Sequence, residues 1–105
     1  MRLPKGFIAS GVKAGIKKGR LDLALIHAPG GANAAAIFTT NRFKAAPVIL
    51  AREGLKKSRG RVRAVLINAG CANAMTGKKG LDAARRVRKN LADIIGCDTQ
   101  EVFIA

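Results

Sequence analysis

The stretch that decides the fold is VRAVLINAGCANAMTGKKGLDAARRVRKNLADII, Val62 to Ile95. Its first seven residues, VRAVLIN, are apolar and β-branched apart from Arg63 and Asn68. Such a run predicts a central strand. Further on, the period changes. Leu81, Ala84, Val87, Leu91, Ile94 and Ile95 share one face at helical spacing, and Lys78, Lys79, Asp82, Arg85, Arg86 and Lys89 take the other. That pattern predicts an amphipathic helix over 78–95. Thr76 is placed to cap its start, and Gly96 to close its end in a left-handed conformation. Arg88 sits at the edge of the apolar face, so its stem should be covered and its head should reach solvent. Between strand and helix lies INAGCANAMTG, Ile67 to Gly77, a turn made of small residues and two carboxamides.

Outward toward the C-terminus, EVFIA, Glu101 to Ala105, reads as a further strand. It stops without a turn or a polar tail, as expected of a cut through a longer sequence. Toward the N-terminus, KKSRGR reads as a solvated basic loop, AREGLKKS as a short helix, and APVIL, Ala46 to Leu50, as an edge strand opened by Pro47. LDLALIHA, Leu21 to Ala28, has strand period. PGGAN, Pro29 to Asn33, is turn chemistry, and AAAIFTT, Ala34 to Thr40, reads as the returning strand of a hairpin. The first twenty residues are interrupted by Gly6, Gly11, Gly15 and Gly19, which predicts an extended segment with a short strand near Ile8. The sum is α/β: a mixed sheet with a long amphipathic helix.

A chain of 105 residues suits one small domain. Its apolar fraction of 49% excludes disorder, but aromatics are only 4% and much of the rest is alanine. Small side chains bury little area each, so the core should be thin. The net charge of +14 would attract a polyanion. Against that, the absence of Trp and Tyr leaves a poor stacking surface for single strands. A small basic nucleic-acid-binding or structural module therefore stands as the alternative reading. Nothing resembles a signal peptide or a spanning helix, and Cys71 and Cys97 form no CxxC pair. With a single histidine they make no metal set, so a reducing, cytoplasmic setting is expected and no metal.

Several residues invite a chemical reading. Cys71 could be a nucleophile, but a thiolate needs a base or a positive helix end, and His27 is the only histidine. A small buried cysteine in a turn is the better reading. Cys97 follows a helix C-terminus, the wrong dipole end. Thr39 and Thr40 lack a paired base and read as hydroxyls capping a turn. His27 reads as a hydrogen-bonded structural residue. TGKKG could receive an anion at a helix start, although a solvated start is the simpler account.

Taken together, PKGF with GVKAGIK, DLALI, AAAIFTTNRFKAAPV, RAVLINAGCANAMTGKKGLDAA and EVFIA resemble the N-terminal part of the ornithine acetyltransferase / glutamate N-acetyltransferase family (ArgJ). FTTNRFKAAPV and INAGCANAMTG carry most of the resemblance, because each sets unusual residues in a fixed order. The resemblance implies residues 1–105 as the N-terminal portion of a larger domain, ending before an oxyanion-hole segment. It implies a layered αββα architecture like that of N-terminal nucleophile enzymes. It implies acetyl transfer from N2-acetylornithine to glutamate in arginine biosynthesis, by a threonine freed through self-cleavage, in a cytoplasmic heterotetramer. No cofactor is implied, with acetyl-CoA as a further acetyl donor in bifunctional members. The catalytic threonine, the oxyanion pair and the substrate lysine have no counterpart here, so no catalytic residue is expected in this chain and no activity of it alone. What remains is a site-supporting loop, with Asn68, Gly70 and Asn73 as its candidate residues. Asn68 and Asn73 are expected to hydrogen-bond the neighbouring backbone.

Overall fold

The computed structural model describes residues 2–70, 73–74 and 76–105. Four strands form one mixed sheet in the order β1-β2-β3-β4: β1 is Ile8–Val12, β2 Leu23–Asn33, β3 Arg61–Asn68 and β4 Val102–Ile104. β1 pairs with β2 and β2 with β3 antiparallel, and β4 lies parallel to β3. Two helices complete the fold, α1 Ala46–Lys57 and α2 Gly77–Ile95, with a short 3-10 turn at Thr99–Glu101 leading into β4. β3 is central, as its apolar run predicts, and α2 supplies the crossover to the parallel strand β4.

PGGAN does not close a hairpin. β2 continues through it to Asn33, and the register slips between His27, opposite Ala64, and Ala32, opposite Val62. The extra residues form a wide bulge. Gly31 takes a positive φ of 77° there, and a Cβ on it would strike the Arg61 guanidinium. AAAIFTT then forms no strand. Both edges of β2 are already taken by β1 and β3, so no ladder is open to it.

APVIL is also helix, not edge strand. Pro47 lies in the first turn of α1, where its missing N–H is no loss. APVIL and AREGLKKS form one helix, in which Ala46, Leu50 and Gly54, four residues apart, make one buried row. Gly54 lets α1 reach the 3-10 turn: a Cβ there would lie 2.9 Å from the Gln100 carbonyl oxygen.

The buried row of α2 is Gly80, Ala84, Arg88 and Ala92. Apart from Arg88, small residues rather than the large apolar ones face the neighbours. Val87 and Ile94 are exposed, while Leu81, Leu91 and Ile95 pack at the margins. Arg88 is buried with its head, contrary to expectation. Its Nη1 donates a 3.5 Å bond to the Leu50 carbonyl, and its Nε has no partner among the described residues. α1 and α2 meet through Ala46, Leu50, Ala84 and Leu81. Below them, Ala92 of α2 packs on Ala64 and Val102, with Leu25 and Leu91 alongside. The core is thin, as alanine predicts: Leu50 and Val102 are the large side chains fully buried among the described residues. Alternation along the strands turns Ala24, Ile26, Val65, Ile67 and Phe103 to the other face of the sheet, away from this cluster.

Gly96 closes α2 in the left-handed conformation, its N–H and that of Cys97 both donating to the Ala92 carbonyl. Thr76 stands at the N-cap position, but its side chain makes no capping bond to the helix. No helix among the described residues is long and apolar enough to cross a membrane.

Candidate functional site

The C-terminal end of β3 delivers Asn68 to a concavity of about 240 Å³. Asn68, Gly70 and Asn73 all line it, together with Ala45 and Pro47 from the start of α1, Ala74, and Ala105 beyond β4. The three residues singled out in the sequence are thus brought to one place. Cys71, between them, lies outside the described residues.

Each wall is held by backbone geometry. The Asn68 N–H donates to the Ala105 carbonyl at 3.0 Å, and the Ala105 N–H to the Leu66 carbonyl at 2.8 Å. These bonds extend the β3–β4 ladder to the rim. Asn73 Nδ2 donates to the Gly80 carbonyl at 2.7 Å, and its Oδ1 accepts from the Thr76 hydroxyl. Asn73 therefore ties the loop to the first turn of α2, which is the hydrogen bonding expected of it. Glycine at position 80 makes this possible, because a Cβ would overlap Thr76 and the Asn73 carboxamide. Gly70 has a φ of 96°, open to glycine and strained for other residues.

Asp22 belongs to no motif that marks it in the sequence. It is a buried carboxylate, 3% exposed, just before β2. Its oxygens accept the backbone N–H groups of Ala14 at 2.6 Å, Ile16 at 2.6 Å and Lys17 at 2.8 Å. Those donors, Ala14 first, hold its pKa below the ordinary value against the opposing effect of burial. Its own carbonyl accepts the Ala69 N–H at 2.9 Å, next to the site. The only signal in the sequence was one acid between leucines, after a basic, glycine-rich segment.

The other end of the sheet is built from charge. Arg61 donates to Asn33 Oδ1 at 2.9 Å, and Arg63 to the Pro29 carbonyl at 2.6 Å. Arg63 also pairs with Glu101 at 3.1 Å. A depression of about 360 Å³ lies there, lined by Lys57, Arg59, Arg61 and Arg63 but also by Asp98 and Glu101. It is larger than the site at Asn68, yet much of its charge is spent within the chain. Cys97, at this end, is half-buried. Burial first, then the Glu101 carboxylate, pushes its thiol pKa up, away from a reactive thiolate.

Thr39 Oγ1 accepts from the Asn41 N–H, and Asn41 Oδ1 from the Phe43 N–H, so FTTN caps a turn, though one that follows no strand. His27 is half-buried in β2, in register with Ile8 and Ala64. No cluster of three or more metal-ligating side chains occurs among the described residues.

The fold and the rim at Asn68 define an α/β scaffold with known counterparts. The arginine biosynthesis bifunctional protein argJ of Bacillus halodurans superposes with a TM-score of 0.90 at 37% identity, over 96% of this chain and 52% of that one. The ornithine acetyltransferase of Mycobacterium tuberculosis, solved in complex with ornithine, gives 0.87 at 41% identity, over 97% and 55%. In sequence, the arginine biosynthesis bifunctional protein ArgJ of Caldanaerobacter subterraneus subsp. tengcongensis is 50% identical across 99% of this chain. The family model matched is that of the ArgJ family, over residues 8–105, and the chain belongs to that family. It spans about a quarter of the length of the curated relatives it matches.

Proposed function

We propose that this chain is the N-terminal part of an acyltransferase that moves an acetyl group from N2-acetylornithine to glutamate in arginine biosynthesis. The family match over residues 8–105 carries this reading. The ornithine bound to the Mycobacterium tuberculosis relative supports the substrate class. The nucleophile is a threonine outside these residues, freed by self-cleavage and activated as an N-terminal group. Donors following β4 hold the oxyanion. Asn68, Gly70 and Asn73 act on that chemistry from beside it, by fixing the rim against which the catalytic segment rests. The apolar face bearing Ile26, Val65 and Phe103 receives the second sheet of the layered architecture. The two cleaved chains stay together as a heterotetramer in the cytoplasm, and acetyl-CoA serves as a further donor in a bifunctional enzyme. No metal or other cofactor takes part.

The test is acetyl transfer from N2-acetylornithine to glutamate, followed by mass spectrometry of both amino acids. The full-length protein should catalyse it and residues 1–105 alone should not. An inactive full-length protein would reject the reading. Transfer by the short chain alone would reject the placement of the nucleophile outside it.

A further inference from the structure

Asp22 spends a buried carboxylate on the backbone of a segment with no part in the sheet. Three N–H groups, from Ala14, Ile16 and Lys17, converge on its two oxygens, and the chain from Lys13 to Arg20 is drawn into a tight loop around them. The loop does not end in solvent. The Lys17 stem lies over Gly70, so that a Cβ built on Gly70 would fall 2.6 Å from Lys17 Cγ and 3.1 Å from Cε, with Ile16 Cγ2 at 3.4 Å. At the same time the Asp22 carbonyl takes the Ala69 N–H, and the Asp22 N–H donates to the Val12 carbonyl of β1. One residue therefore grips the Asn68–Gly70 corner twice, directly through Ala69 and indirectly through the Lys17 stem on Gly70.

We infer that Asp22 is a positioning residue for the site: it clamps the 14–17 loop so that Lys17 braces Gly70 and fixes the rim formed by Asn68 and Asn73. Part of this rests on the acyl-transfer reading above, since only that reading says what the rim serves. The isosteric Asp22→Asn change removes the charge. It also replaces an acceptor with an NH2 group facing backbone donors, so at least one of the three bonds must break.

The experiment uses the full-length protein with Asp22→Asn. Hydrogen exchange of the folded variant should speed up at residues 14–17 and at 69–70, while Ala64 to Leu66 in β3 stay protected. In acetyl transfer, kcat should fall about tenfold with KM within about twofold, because a displaced rim misaligns the reacting groups. Loss of thermal stability with unchanged kcat, and unchanged exchange at 69–70, would reduce Asp22 to a fold-stabilising residue and overturn the inference. If the wild type transfers no acetyl group, the functional reading falls, and exchange at 69–70 still decides whether Asp22 holds the corner. Should Asp22→Asn fail to fold, Lys17→Ala cuts the same relay one link later. Faster exchange at Gly70 then upholds it, and unchanged exchange overturns it.

Discussion

The two ends of the sheet use opposite chemistry. At the Arg61 end, arginines reach across to Asn33, Pro29 and Glu101 and tie down a bulged strand. At the Asn68 end the rim is made of two carboxamides, one glycine and three alanines, with Pro47 beside them. A chain of net charge +14 would be expected to act through its cations. The cations at the Arg61 end instead spend much of their bonding on the fold, while the candidate site is built from small residues whose value is close approach. Small side chains leave room for a neighbouring segment to approach the backbone closely.

That contrast can be broken by mutation. The largest effect should come from Gly70→Ala. The left-handed φ is unfavourable for alanine by about 1–2 kcal/mol, and the Lys17 stem must move aside as well. Acetyl transfer by the full-length protein should fall at least about tenfold, since misplacement of about 1 Å can cost far more. Wild-type transfer from a folded Gly70→Ala protein would remove this end of the sheet from the site. Next in size is Asn73→Ala, which loses the bond to the Gly80 carbonyl and should cost about 1 kcal/mol in thermal or urea unfolding. Its transfer rate should fall too. Wild-type kinetics with normal self-cleavage would leave Asn73 a purely structural tie.

At the opposite end, Arg63→Ala should lower stability by about 1 kcal/mol or less and leave kcat and KM unchanged. The Glu101 pair is partly exposed and screened by salt. A large kinetic effect of this change would erase the distinction between the ends. Acid gives a further comparison. Asp22 and Glu53 both have depressed pKa values, Asp22 mainly through the backbone donors and Glu53 mainly through Lys57. A depressed acid contributes stability that is present above its unfolded value, about 4, and is lost as pH falls through the native value. The melting temperature should therefore hold between about pH 5 and 7 and drop below about pH 4, with a shallower drop in Asp22→Asn. An equally steep drop in that variant would locate the acid sensitivity elsewhere.

Much of this was legible from residue order. VRAVLIN announced a central strand, and 78–95 announced a helix closed at Gly96, because both follow local periodicity and capping. The corner that gathers Asn68, Gly70 and Asn73 stood out too, as an odd run of small residues and amides. What stayed hidden depends on distant partners. Nothing near PGGAN reveals that both edges of β2 are filled, which is what turns a hairpin into a bulge. Nothing in DLALI reveals that Asp22 collects three N–H groups from five to eight residues upstream. APVIL misled because its β-branched residues favour strands locally and a proline can open an edge strand, while the row Ala46, Leu50, Gly54 follows the needs of packing on Ala84 and Gln100.

The face of α2 makes the same point and carries the smallest prediction. Periodicity placed Val87 and Ile94 on the buried side by size, yet they are 42% and 80% exposed, and Ala84, Arg88 and Ala92 lie inward. Close contact with α1 and β4 selects small residues, so the largest apolar residues are displaced to the flanks. Ile94→Ala should consequently change unfolding free energy by less than about 0.5 kcal/mol, the scale of an exposed substitution. The comparison is Ala92→Leu, two residues away on the same helix. Ala92 is 1% exposed against Ala64 and Val102, and extra methylenes there should cost about 1–3 kcal/mol. A reversed order, with Ile94→Ala the costlier change, would mean that Ile94 is covered in the full-length protein, and that α2 has a second partner on its outer face.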